Sequence, residues 1–183
     1  MEILIRSNEA NQPDPFLLWD SIYDPAKGYA DWAMAGNNAP LNAGGLAATS
    51  ALDTAVTLCL FTDKRLPATH PLAYLVPDGD LRGWWGDGID VRADLGEDEL
   101  GSYWWVLGRA PLTPAIANWA RQFALDALAP LKKQGAVVRI DCSTAIIGTD
   151  ALVASIQMYG RDGAKIYDRQ FDLVWKQLLP AAA

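Results

Sequence analysis

The chain has 183 residues, a length that predicts one domain able to bury roughly 70% of its unfolded surface. Hydrophobic residues make up 51%, charged residues 20% and aromatic residues 10%, which excludes a largely disordered chain. The net charge of -7 argues against a non-specific nucleic-acid binder and against attraction to an anionic membrane.

Residues 1–15 start apolar and then turn polar, and are expected to form a flexible or extended arm. The rest, 16–183, is expected to be a single domain. MEILIRSNEA has no extended apolar stretch, so no secretory signal is expected. Apolar residues then cluster at Phe16-Trp19 and again at Tyr29-Met34, with the turn chemistry of DPAKG between them, which predicts a β-hairpin. A loop rich in Asn, Pro and Gly leads to a helix capped by Ser50, with Leu52, Ala55, Val56, Cys59 and Leu60 on one face and its end near Thr62-Arg65. From Leu66 to Gly101 the chain reads mostly as loop. Between Asp78 and Glu99 it carries eight acidic residues against Arg82 and Arg92 alone. A loop of this length in a compact domain serves function or docks on a partner.

SYWWVLGR is continuously apolar, so its periodicity does not separate a buried strand from a short buried helix. The run Tyr103-Leu107 is also far short of the ~20 residues of a membrane helix. Thr113-Pro114 opens the clearest helix, with Thr as cap and Pro in the first turn. Its stripe is Ile116, Ala120, Phe123, Ala127 and Leu131, widened by Trp119 and Ala124. Pro130 is expected to kink its last turn and Gly135 to end it. Three strands follow. In the second, Leu152, Ala154, Ile156 and Met158 alternate with Val153, Ser155, Gln157 and Tyr159, and Gly160-Arg161-Asp162-Gly163 turns the chain into the third. If that last strand lies at a sheet edge, it can accept a strand from another chain, with Arg169, Asp172 and Lys176 guarding it. The whole reads as α+β: a small antiparallel or mixed sheet packed against two to three helices, with a long acidic Gly/Trp-rich loop.

The chemistry-bearing residues are sparse. Cys59 and Cys142 are too few for a disulfide framework and read as reduced structural residues. The single histidine, His70, lies in PATHP and rules out designs needing two. Asp78-Gly79-Asp80-Leu81-Arg82-Gly83 only grazes a calcium loop, because Arg82 sits where a ligand belongs. Neither a phosphate-binding glycine loop nor a nucleophile elbow occurs. No cofactor or metal is expected. Asp87, Asp94, Glu97 and Glu99 are the carboxylates from which a glycoside-cleaving pair would have to come. The most unusual segment is Gly83-Trp84-Trp85-Gly86-Asp87, where paired indoles on a loop either anchor a partner or fold back onto the core.

These segments carry a resemblance. Leu52-Asp53-Thr54-Ala55-Val56 with Leu60-Phe61-Thr62-Asp63-Lys64-Arg65 resembles the "TAV...LFTD.R" helix of a phage family, and Gly83-Trp84-Trp85-Gly86-Asp87 its "GWWGD" signature. Gly101-Ser102, Trp104-Trp105, Leu107 and Arg109 resemble its "GS.LWLL.R" segment, and Thr113-Pro114 with the following helix also matches. The family is that of the Mu-like phage baseplate protein named after gene product forty-six, and the likeness runs in order from Trp19 to Tyr159. The chain departs from it by a longer start, residues 1–15, and by a longer insertion around Asn37-Leu46. The family is similar in role to the gene-twenty-five-like baseplate wedge proteins, whose Glu-Pro-Arg tripeptide this sequence does not contain.

The resemblance implies a structural, non-enzymatic wedge subunit of a contractile tail, resident in the virion baseplate and made in the host cytoplasm. Its implied partners are other wedge proteins and the sheath or tube, met in multiple copies, with no nucleic acid or membrane. On this reading Trp84, Trp85, Asp87 and Arg109, with Arg169 and Phe171 of the last strand, are the candidate protein-interaction residues. The alternatives are a murein hydrolase using paired loop carboxylates and a stand-alone adaptor that binds by edge-strand addition.

Overall fold

A computed structural model describes residues 2–7, 21–24, 29–32, 51–76, 79–86, 88–89, 91–95 and 97–175, with backbone alone for 2–7, 21–24, 29–32, 51 and 95. The expected caps and turns at Ser50 and DPAKG, the Asn37-Leu46 insertion, Asp87 and Lys176 lie outside the described residues. The chain divides into two compact units, Glu9–Leu58 and the combination of Met1–Asn8 with Cys59–Ala183.

In the smaller unit, β2 (Ser21–Asp24) pairs antiparallel with β3 (Tyr29–Trp32), in register from Ser21↔Trp32 to Asp24↔Tyr29. A hairpin is expected here; its second strand falls in the expected Tyr29-Met34 cluster, its first is Ser21–Asp24, and Phe16-Trp19 lies outside the described residues. Helix α1 (Ala51–Phe61) begins in this unit and ends in the larger one.

The larger unit is an α+β fold. Its strands are β1 (Glu2–Ser7), β4 (Arg139–Ile147), β5 (Ala151–Tyr159) and β6 (Lys165–Val174). They form one sheet in the order β1-β6-β5-β4, with every neighbouring pair antiparallel. The β5–β6 hairpin turns at 160–163, where Gly163 has φ +79, and the register slips by one residue at Met158/Tyr159. The conditional placement of the last strand at an edge is corrected here. Strand β6 lies between β5 and β1, because the chain start pairs along it from Glu2↔Val174 to Ser7↔Arg169. The C-terminal half of the chain instead leaves β4 at the edge. There Arg121, from the helix Pro114–Lys133 that precedes β4, donates from Nε to the Cys142 carbonyl at 3.1 Å, so the guarding cation comes from a helix.

Helix α3 (Pro114–Lys133) starts as the Thr113-Pro114 pair requires: the Thr113 hydroxyl accepts from Ile116 N–H at 3.3 Å, satisfying one of the first-turn donors. Gln134 follows the last helical residue, and Gly135 leaves the helix at φ +78. Its buried face is Ile116, Ala117, Ala120, Phe123, Ala124, Leu128 and Leu131. The expected stripe placed Ala127 on this face; Ala127 is half-buried and Leu128, one position on with the larger apolar side chain, is fully buried. The helix lies over the face of β4 that carries Thr144, whose hydroxyl donates to the Ala117 carbonyl at 2.9 Å. On β5, Leu152, Ala154, Ile156 and Met158 are all fully buried, and Tyr167, Phe171 and Leu173 of β6 join them.

The ambiguous SYWWVLGR segment resolves into a short helix, α2 (Trp104–Leu107), with all four residues buried. That is why its sequence shows no period: apolar neighbours surround it. Trp104 donates from Nε1 to the Ala120 carbonyl at 2.8 Å, and its ring packs edge-on to Phe61 and Phe171 at 5.5 and 6.4 Å between centroids. Among the described residues no helix is long and apolar enough to cross a membrane.

A candidate docking loop

The described residues of the 66–101 segment run without regular structure apart from two short 3-10 turns, Ala73–Leu75 and Ala93–Leu95. Both ends of the loop are fixed. At its start Leu66 N–H donates to the Leu81 carbonyl at 3.0 Å. At its end Gly101-Ser102 runs parallel to Thr62-Lys64, with Ser102 N–H donating to the Thr62 carbonyl and Lys64 N–H to the Ser102 carbonyl. Gly101 has φ +114, and a Cβ there would run into the Thr62 carbonyl, so only glycine fits. The buried Ser102 hydroxyl donates to the Leu60 carbonyl and accepts from Trp104 N–H, tying α1 to α2.

Trp105, from α2, forms the platform on which the base of the loop rests. Its Nε1 donates to the Lys64 carbonyl at 2.9 Å. The Arg82 guanidinium lies 4.8 Å from its ring centroid and that of Arg109 lies 5.8 Å away. Arg82 also pairs with Asp63 at 2.8 Å and Asp80 at 3.5 Å, and Arg109 reaches the same Asp80 at 3.6 Å. These groups are half exposed, so each pair contributes at most about 1 kcal/mol, and their shared geometry matters more than any one pair. Arg82 takes φ +50 and Gly83 φ +101, a local left-handed stretch just before the two tryptophans.

The two tryptophans then divide their roles. Trp84 is half-buried and lies against the backbone of Gly86, where any Cβ would overlap its ring. Its Nε1 is buried and has no hydrogen-bond partner among the described residues. Trp85 is 90% exposed and stands edge-on to Trp84, with centroids 5.5 Å apart and rings at 72°. Together with Arg65, Arg82, Gly83 and Glu99 they line an open groove of about 350 Å³.

The structure therefore brings Trp84 and Trp85 together and joins Arg109 to them through Asp80 and Arg82, while Asp87 lies outside the described residues. Arg169 and Phe171 are elsewhere, at 6% and 0% exposure in β6. Sequence reasoning missed Asp63, Asp80, Arg82, Ser102 and Trp105. The available signal was that Arg82 is one of only two cations in a carboxylate-rich stretch, which marks it as an internal clamp.

The remaining chemistry is quiet. Asp94 is held bidentately by Arg92, with contacts of 2.7 and 3.0 Å, and this pairing lowers its pKa, the reverse of what a general acid needs. Glu97 accepts from Arg92 N–H at 2.7 Å. Burial raises the pKa of both Cys59 and Cys142 to about 11. His70 packs among Tyr103, Trp119 and Phe123, its Nδ1 accepts from Leu72 N–H at 3.1 Å, and burial lowers its pKa. Among the described residues no group of three or more His, Cys, Asp or Glu side chains is placed to hold a metal ion.

The fold and its loop thus define a small α+β protein built around an outward-facing aromatic loop. The family described as "Phage protein GP46" matches residues 52–165, and the chain belongs to it. It is similar to "Baseplate protein gp46" of Escherichia phage Mu, with 37% identity over 117 residues, spanning 63% of this chain and 74% of that protein. No solved structure matches the chain.

Proposed function

We propose that this chain is a structural subunit of a contractile phage tail baseplate, a wedge component that acts through protein–protein contacts. The observation that carries the reading is the likeness to the Mu baseplate protein across the segment that contains the docking loop. Its partners on this reading are other wedge proteins and the sheath or tube, met in multiple copies in the virion tail after synthesis in the host cytoplasm. Catalysis has no part in it. In support, Asp94 and Glu97 are both engaged by Arg92. A sheath-initiating role by strand addition is a refinement that would use β4, an outer strand of the sheet among the described residues, since β6 is flanked on both sides.

Co-expression with the flanking tail genes, followed by affinity capture and mass determination, tests the proposal. It predicts a stable complex with a larger wedge protein. A folded chain that captures none of the co-expressed tail proteins, and that solubilises peptidoglycan, would overturn it.

A further inference from the structure

Trp85 has the highest exposure of any large apolar side chain among the described residues, ahead of Tyr74 at 71% and Ile89 at 59%. Its position is built. The loop base is clamped by Arg82 to Asp63 and Asp80, the backbone is left-handed at Arg82 and Gly83, and Trp84 seated on Gly86 braces the exposed ring. An aromatic ring held in place before contact gives up little freedom on binding, which is how anchor residues reach high affinity. In sequence, the stretch from Asp78 to Glu99 that carries it has eight carboxylates and two arginines, and both arginines already face carboxylates, Asp63 and Asp80 for Arg82 and Asp94 for Arg92. Within the groove itself Trp85 lies with Arg65, Arg82 and Glu99. The anchor therefore sits on a stretch of strong net negative charge.

Building on the baseplate reading, we propose that Trp85 inserts into an apolar pocket of a neighbouring protein subunit, and that this pocket is rimmed by lysine or arginine. The net negative charge of the stretch supplies steering, and the indole supplies the grip. Trp84 is a positioning residue that stays on the loop side of the contact.

The test uses tails assembled from the chain's own tail gene cluster, with a photo-crosslinking benzoylphenylalanine replacing Trp85 and, as a control on another surface, replacing the exposed Ile147. The proposal predicts a cross-link from position 85, and none from 147, to a segment of another tail protein with basic residues beside apolar ones. It also predicts that Trp85→Ala weakens binding to that protein by about thirty-fold or more with unchanged melting, and that binding weakens as salt rises. Cross-linking of position 85 to an acidic segment, or to nothing, in tails that do contain the chain would overturn the proposal and leave the baseplate reading standing. Absence of the chain from the tails would overturn both.

Discussion

Replacing Phe171 by alanine separates a core role from a docking role for β6. The ring is fully buried and meets Phe61 and Trp104 edge-on at centroid distances of 5.5 and 6.4 Å. Its neighbours across the strands are Ile5 and Ala154, so strands on both sides prevent β6 from moving in to fill the space. A buried Phe→Ala change costs about 3–5 kcal/mol, the lost transfer energy plus the cavity. For a chain of this size each kcal/mol moves the melting temperature by about 2–4 °C, which gives a fall of roughly 6–20 °C. The matched substitution Trp85→Ala removes a ring that is 90% exposed and should stay within about 0.5 kcal/mol of the parent. Urea unfolding followed by tryptophan fluorescence and circular dichroism measures both. A Phe171→Ala protein with the parent's midpoint, or a Trp85→Ala protein that unfolds early, would refute the assignment of one ring to the core and the other to the surface.

Other consequences are equally direct. Thr113→Ala removes the acceptor for Ile116 N–H and should cost about 1 kcal/mol in the same unfolding assay, with Thr113→Ser recovering most of it. His70 has its pKa lowered from 6.5 by burial, so the folded state prefers the neutral ring; its stabilising contribution is present above pH 6.5 and is lost as pH falls through the lowered folded value. Because it is the only histidine, one NMR titration reads it, and a midpoint above 6.5 would contradict the packing. Cys59 and Cys142, with pKa values raised to about 11, should react with iodoacetamide at pH 8 about two orders of magnitude more slowly in the native protein than after unfolding.

Local chemistry made much of the fold legible. The Thr113-Pro114 start of α3 and the strict alternation of β5 each follow from one rule, and the structure follows both. Legibility ended where partners far apart in sequence decide the outcome. Residues 2–7 pair with 169–174, and nothing in either segment names the other, so the neighbour of β6 was hidden. Helix α2 was unreadable because burial on all sides erases periodicity. At the docking loop the sequence offered two adjacent indoles of identical chemistry. Trp84 is the one that lies inward, against the bare face of Gly86, and Trp85 the one left exposed, a difference the two identical side chains do not encode.

On the function proposed above, this chain sits in a tail baseplate with its 66–101 loop against a neighbour. A density map of the assembled tail tests that placement. The expected map shows this fold in the baseplate, with Trp85 buried in another subunit. A baseplate that lacks the fold, or one that holds it with Trp85 in open solvent, would contradict it.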